Sequence, residues 1–193
     1  MAAQAPILEI REDPLDDLSR YLEVPSRFES RTVFDVHQGI EGFTLSERES
    51  PGGYHKDYDA IEDPRRWVTE FDVSHWAMLA AFRGARRVGG AIAAHRSPGI
   101  QLLEGRDDLV VLWDIRVAPA ASRTGVGSAL VSRVEDWARI RHCCELKVET
   151  QNTNVSACRF YQSQGFRLSE ANRDAYPGLP EDVQLIWRKR VAA

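Results

Sequence analysis

The chain has 193 residues, 43% of them hydrophobic and 28% charged, the balance of an ordinary globular protein with enough apolar side chains for a full core. Lys and Arg number 25 against 29 Asp and Glu, and the resulting net charge of −4 argues against a dedicated nucleic-acid binder while suiting a cationic substrate. No apolar run approaches the ~18 residues of a membrane helix, and the start MAAQAPILEIRED lacks the basic flank and long apolar stretch of a secretory signal.

In chain order, residues 7–12 alternate as a short strand that Pro14 would stop. A helix is expected around PLDDLSRYL, with the proline in its first turn and acidic residues early, where the helix dipole favours them. RTVFDVHQ and GFTLSER read as two strands around a turn at Gly39 and Gly42. Residues 46–63, polar and containing Pro51, Gly52 and Gly53, read as a long functional or mobile loop leading to a short helix around PRRWVTEF. HWAMLAAF and RVGGAIAAHR form a hairpin around Gly84, and VVLWDIRVAP is an apolar, β-branched central strand that Pro119 ends. From that strand onward the order is βαβαββ, so the fold class is mixed α/β with a mostly antiparallel central sheet and flanking helices.

After the turn SRTGVG, residues Val126, Ala129, Leu130, Val134, Trp137 and Ala138 fall at helical spacing and make one apolar stripe. Gly125 and Gly127 therefore lie at a helix start, where free backbone N–H groups attract anions and the missing side chains admit a pyrophosphate. GVGSAL lacks the lysine and hydroxyl of a kinase-type P-loop and the third glycine of a dinucleotide fingerprint, so a plain tight turn is the competing reading. Farther on, ELKVETQNTNVSACRFYQSQGFRL gives a strand over 145–150, a helix that Asn152 or Asn154 can cap, and Gly165 at its C-terminal end. On that helix Val155, Cys158 and Tyr161 share a face, with Ala157 and Phe160 beside them.

The succession of strand, SRTGVGSAL, helix, KVETQN, NVSACRFY and GF resembles the acyl-coenzyme A core of the GNAT-type N-acetyltransferases over about 110–166, and ETQNTNVSACRFYQSQGF is similar to their streptothricin acetyltransferase branch. KDYD at 56–59 is a shorter match to the same branch. The resemblance implies one acetyltransferase domain over 1–193. Residues 1–75 form its substrate-side part, with the loop 46–63, and residues 76–190 form its acetyl-CoA-binding core, in which two central parallel strands splay apart. It implies that the backbone of Ile115, Arg116 and Val117 pairs with the pantetheine arm. By the same resemblance the N–H groups of Arg123, Thr124, Gly125, Val126, Gly127 and Ser128 would hold the pyrophosphate. It further implies that Asn154, Ala157 and Phe160 would flank the coenzyme and that Tyr161 would sit near the thioester sulfur. One departure stands out: the family's basic residue at the start of the turn is here Ser122, with Arg123 one place later. Weaker coenzyme binding, or a substitute role for Arg123, is expected.

Acetylation of an amine of pKa ~10.4 at neutral pH requires a base, and the leaving thiolate benefits from an acid. Tyr161 is the candidate acid; its alternative is a core aromatic with a satisfied hydroxyl. Asp114, a lone carboxylate in an apolar strand, is the preferred base, against a salt bridge to Arg116 on the same strand face. Glu149 is the second candidate base, against a solvated face shared with Glu145, Lys147 and Gln151. Asp57 and Asp59, with Glu62 and Asp63, are candidates for holding a cationic amine, and Trp113 for a cleft wall.

Cys158 reads as a small buried residue, and Cys143 and Cys144 beside His142 as non-catalytic. The cysteines form no CxxC pair and the five histidines no metal-ligand spacing, so a reduced, cytoplasmic chain without metal is expected. The function expected is transfer of an acetyl group from acetyl-CoA to a small cationic amine, such as a streptothricin-like antibiotic. The alternatives are acetylation of a protein or peptide amine, and a non-catalytic acyl-CoA sensor. The expected partner is a small-molecule amine, with no nucleic acid and no membrane; dimers are common in such families, so a homodimer is a further expectation.

Overall fold

The computed structural model describes residues 6–192; the first five residues of the start inspected for a targeting signal lie outside them. Its main sheet has seven strands in the order β1-β4-β5-β6-β7-β9-β8. These are β1 (Leu8–Asp13), β4 (Ala77–Arg83), β5 (Arg86–Ala94), β6 (Leu109–Val117), β7 (Glu145–Gln151), β8 (Arg167–Asn172) and β9 (Gln184–Arg190). Every pairing is antiparallel except β6 with β7. A separate two-stranded ribbon joins β2 (Arg27–Gly39) to β3 (Gly42–Asp57). Among the described residues no helix is long and apolar enough to cross a membrane.

The expected loop over 46–63 is instead mostly strand. β3 runs on to Asp57 and pairs with β2 back to Arg27. Ser30 pairs with Tyr54 and Thr32 with Glu49, so Ser50–Gly53 bulges out opposite Arg31. Gly52 and Gly53 take φ of +97° and +71° there, which is why a proline and two glycines occur inside a strand. After β3, Tyr58–Ile61 forms α2, and Glu62 and Asp63 connect onward. A short α1 (Leu18–Tyr21) precedes the ribbon, and α3 (Trp67–Glu70) follows α2.

α4 (Val126–Ile140) lays the predicted stripe onto the sheet, with Val131 buried where the stripe had Ala129. Alternation along β6 divides the core: Val110 and Leu112 face α4, while Val111 packs on the opposite face with Tyr21, Trp67, Trp76 and Ile92. Gly90 on β5 makes room for that second face. A Cβ there would lie 2.6 Å from the Tyr21 ring and 3.1 Å from the Leu79 carbonyl oxygen. Gly90→Ala should therefore displace a fully buried tyrosine and lower stability by about 1–3 kcal/mol, measured as a shift in the urea midpoint. An unshifted midpoint would show that the ring yields freely.

Candidate active site

β6 and β7 pair only over Leu109–Val111 and Glu145–Lys147. Beyond Val111, β6 keeps β5 alone as partner, and beyond Lys147, β7 keeps β9 alone. The divergence starts at a bulge: Ile92 pairs with Asp114 and Ala93 with Leu112, leaving Trp113 as the extra residue that bends β6. Two facing strand edges are thus left without partners, and such edges accept an extended, amide-containing chain. A cavity of about 820 Å³ fills this wedge, lined by Ile115, Arg116 and Val117 on one side and Glu149–Gln151 on the other.

The wedge opens onto the start of α4. The backbone N–H groups from Arg123 to Ser128 find no acceptor among the described residues; the first to do so is Ala129, which donates to the Gly125 carbonyl. Gly125, at φ +86°, and Arg123, at φ +61°, turn the chain so that these donors lie together at the helix terminus. A Cβ on Gly127 would come within 3.1 Å of the Phe160 ring, so a glycine here lets α5 pack close against the start of α4. Thr124 and Val126 contribute backbone only: the Thr124 hydroxyl donates to the Ala121 carbonyl and the Val126 side chain is buried in the core. The Arg83 guanidinium braces the turn from outside, donating to the Thr124 carbonyl and hydroxyl. Ser122 lines the cavity but brings no charge, whereas the exposed Arg123 lines the same mouth with its cation. Free donors and an open strand edge together fit the phosphate and pantetheine parts of a coenzyme A.

α5 (Val155–Ser163) forms the floor. Asn154 caps it, accepting from the Ala157 N–H at 3.1 Å, and Gly165 ends it at φ +83°. Asn152, the other candidate cap, is spent instead on the Phe34 carbonyl and the Val183 N–H. Val155, Cys158 and Tyr161 are buried as the spacing predicted. Burial pushes the Cys158 thiol up to about 12, which suits an inert packing residue. Tyr161 is 5% exposed, and among the described residues its hydroxyl has no hydrogen-bond partner, although it lines the cavity. Burial, reinforced by the Asp114 charge, holds that hydroxyl well above the ordinary tyrosine range, so it stays protonated.

Of the two candidate bases, Asp114 makes the salt bridge. Its Oδ1 accepts from Tyr21 Oη at 2.5 Å and Arg116 Nε at 2.9 Å, and its Oδ2 from Arg116 Nη2 at 2.8 Å. Arg116, 3% exposed, also reaches Asp59 and the Val24 carbonyl. Burial opposes the Arg116 charge, but the Asp114 carboxylate more than offsets it and the guanidinium is held above its usual range. Glu149 has neutral partners: Tyr176 Oη donates to its Oε1 at 2.6 Å and Gln184 Nε2 to its Oε2 at 2.8 Å. Nor is its strand face solvated, since Lys147 and Gln151 are 4% and 8% exposed.

The acidic quartet divides by role. Asp57 caps α2, accepting from the Asp59 and Ala60 N–H groups, and does not line the cavity; Asp63 accepts from Arg65 in the next turn. Asp59 and Glu62 do line it, beside Trp67 and Trp113, whose rings meet edge to face at 6.3 Å. Phe28 and Tyr58, which the sequence left unassigned, complete this end of the cavity. Cys143 approaches His95 at 3.4 Å rather than its neighbour His142, and both groups are buried away from the site. Among the described residues no group of three or more His, Cys, Asp or Glu side chains is arranged to hold a metal ion.

Residues 41–166 match the model of the Acetyltransferase (GNAT) family. The streptothricin acetyltransferase of Escherichia coli is 30% identical over 175 residues, 89% of this chain and 90% of that protein. Two solved structures share the fold: a nourseothricin acetyltransferase, with TM-score 0.74 at 22% identity over 96% of this chain and 99% of that one, and a Bacillus anthracis protein in complex with acetyl coenzyme A, with TM-score 0.78 at 21% identity over 95% and 99%.

Proposed function

The chain belongs to the GNAT acetyltransferase family and transfers an acetyl group from acetyl-CoA to an amine, and from that premise we propose that its acceptor is a small cationic amine of the streptothricin type. The observation that carries the acceptor class is that Asp59, Glu62 and Glu149 line the cavity together with the indoles of Trp67 and Trp113. Carboxylates and ring faces attract an ammonium ion. The name of the Escherichia coli relative supports the same acceptor.

Bound acetyl-CoA supplies the acetyl group as a thioester. The Arg123–Ser128 N–H groups are suited to its pyrophosphate, with Arg123 contributing the charge that Ser122 lacks, and the open β6 edge at Ile115–Val117 to its pantetheine. Asn154, Ala157 and Phe160 flank the same channel. Glu149 is assigned as the base, taking the ammonium proton directly or through one water. Asp114 is a poorer choice. A proton on it would leave the buried Arg116 charge without its partner, which is costly, whereas protonating Glu149 disturbs only neutral donors. Asp114 and Arg116 then serve to fix Asp59 at the acceptor end. Tyr161 is assigned as the acid: its protonated, unengaged hydroxyl can donate to the departing thiolate.

Mass spectrometry of acetyl-CoA reactions with streptothricin, aminoglycosides, polyamines, lysine and peptides tests the acceptor. Streptothricin should gain one acetyl group and the peptides none. Acetylation confined to peptides would overturn the assignment.

A further inference from the structure

Glu149 is approached from behind by a residue that the cavity does not contain. Tyr176 lies in the segment 173–183 between β8 and β9 and is not among the lining side chains. Its hydroxyl donates to Glu149 Oε1 at 2.6 Å and accepts from Gln151 Nε2 at 2.8 Å. Gln151 Oε1 in turn accepts from Tyr58 Oη at 2.5 Å, and Tyr58 accepts from Asn154 Nδ2 at 3.4 Å. The relay therefore runs from the cap of α5, through the acceptor wall, to the carboxylate assigned as base.

The direction of each bond is set by protonation. Burial, ahead of the Glu149 contact, holds the Tyr176 hydroxyl well above the ordinary tyrosine range, and burial does the same for Tyr58. Each phenol therefore has one proton to donate, and Tyr176 spends its proton on Glu149. The loop itself is pinned. Asp182, fully buried, accepts from Tyr54 at 2.6 Å, Lys56 at 2.7 Å and Thr153 at 3.0 Å. The Lys56 ammonium lies 5.8 Å from the centre of the Tyr176 ring and 5.6 Å from that of Tyr58. A flexible glutamate side chain at the rim of a cleft would otherwise sample several rotamers. Here one oxygen is fixed by a phenol on a latched loop and the other by Gln184.

We propose that Tyr176 is a positioning residue for the reaction, holding the Glu149 carboxylate toward the acceptor amine without touching substrate itself. The inference rests on the assignment of Glu149 as base. Tyr176→Phe keeps the ring and removes only the hydroxyl, leaving Gln151 Nε2 and Glu149 Oε1 without that partner, so melting temperature should fall by only a few degrees and KM for acetyl-CoA stay the same, while kcat with streptothricin falls about tenfold. Glu149→Gln should by itself cost on the order of a hundredfold, the range of a lost general base. Adding Tyr176→Phe to Glu149→Gln should cost nothing more, because the hydroxyl acts only through the carboxylate. A Tyr176→Phe enzyme with full turnover, or one whose loss persists undiminished in the Glu149→Gln background, overturns the proposal and leaves Glu149 in place. A Glu149→Gln enzyme with full turnover overturns both. Should streptothricin not be turned over, the crystal structure of Tyr176→Phe decides: a Glu149 carboxylate moved off its position supports the proposal, and an unmoved one overturns it.

Discussion

Replacing Tyr161 with phenylalanine is expected to lower kcat on the order of a hundredfold while the Kd for acetyl-CoA stays within about twofold. Phenylalanine fills the same volume, and the ring contacts to Phe160 and Phe166, at 5.5 and 5.6 Å, depend on the ring rather than the hydroxyl. Because that hydroxyl has no hydrogen-bond partner among the described residues, its removal strands no buried donor or acceptor and should cost little stability. The proton is the whole difference. A thiol of pKa ~8.5 is a fair leaving group without help, which is why the loss is set near the lower end of the range for acid catalysis.

The pH dependence has a definite sign. Burial raises the Tyr161 hydroxyl above 10, so its acid form is retained as pH rises through the range in which a free tyrosine begins to ionise. The wild-type kcat profile should accordingly show no fall below pH 10 that the Phe variant lacks. Steady-state kinetics over that range, paired with calorimetry of acetyl-CoA binding, checks both statements. Unchanged turnover in Tyr161→Phe would remove the residue from proton transfer.

What could be read from the sequence was what short-range chemistry decides. The α4 stripe, the Asn154 cap, Gly165 at the end of α5 and the hairpin across Gly84 each depend on residues within a turn or two of one another. The ordering of Asp114 and Glu149 was not of that kind. Both are carboxylates on neighbouring strands, and the order proposed for them rests on their partners: Tyr21 comes from 93 residues away, and Tyr176 from a loop whose sequence, DAYPGLP, marks only a turn. β3 was hidden for a different reason. Its proline and glycines occupy a bulge, where the turn geometry is real but the strand continues on either side. Asp57 did carry a local signal, since an aspartate immediately before YDAI is a helix cap, and that role competes with binding substrate.

Asp182→Ala is expected to destabilise the protein by about 3–5 kcal/mol, the usual cost of removing one partner from a buried ion pair. The Lys56 side chain is 10% exposed and Asp182 fully buried, so the substitution leaves an ammonium without a counterion and two hydroxyls, those of Tyr54 and Thr153, without their acceptor. Asp182→Asn is the informative companion. An amide oxygen can still accept from Tyr54 and Thr153, but it carries no charge for Lys56, so a loss clearly smaller than that of the alanine variant would assign the remainder to the hydroxyl contacts. At about 2–4 °C per kcal/mol for a chain of this size, the alanine variant should melt on the order of 10 °C lower by calorimetry. Addition of Lys56→Met to Asp182→Ala should recover part of the loss, because the stranded charge, rather than the missing bond, accounts for much of it. A melting temperature within a degree or two of wild type would mean that the β8–β9 segment is held by its apolar contacts, and that Tyr176 does not depend on this latch to reach Glu149.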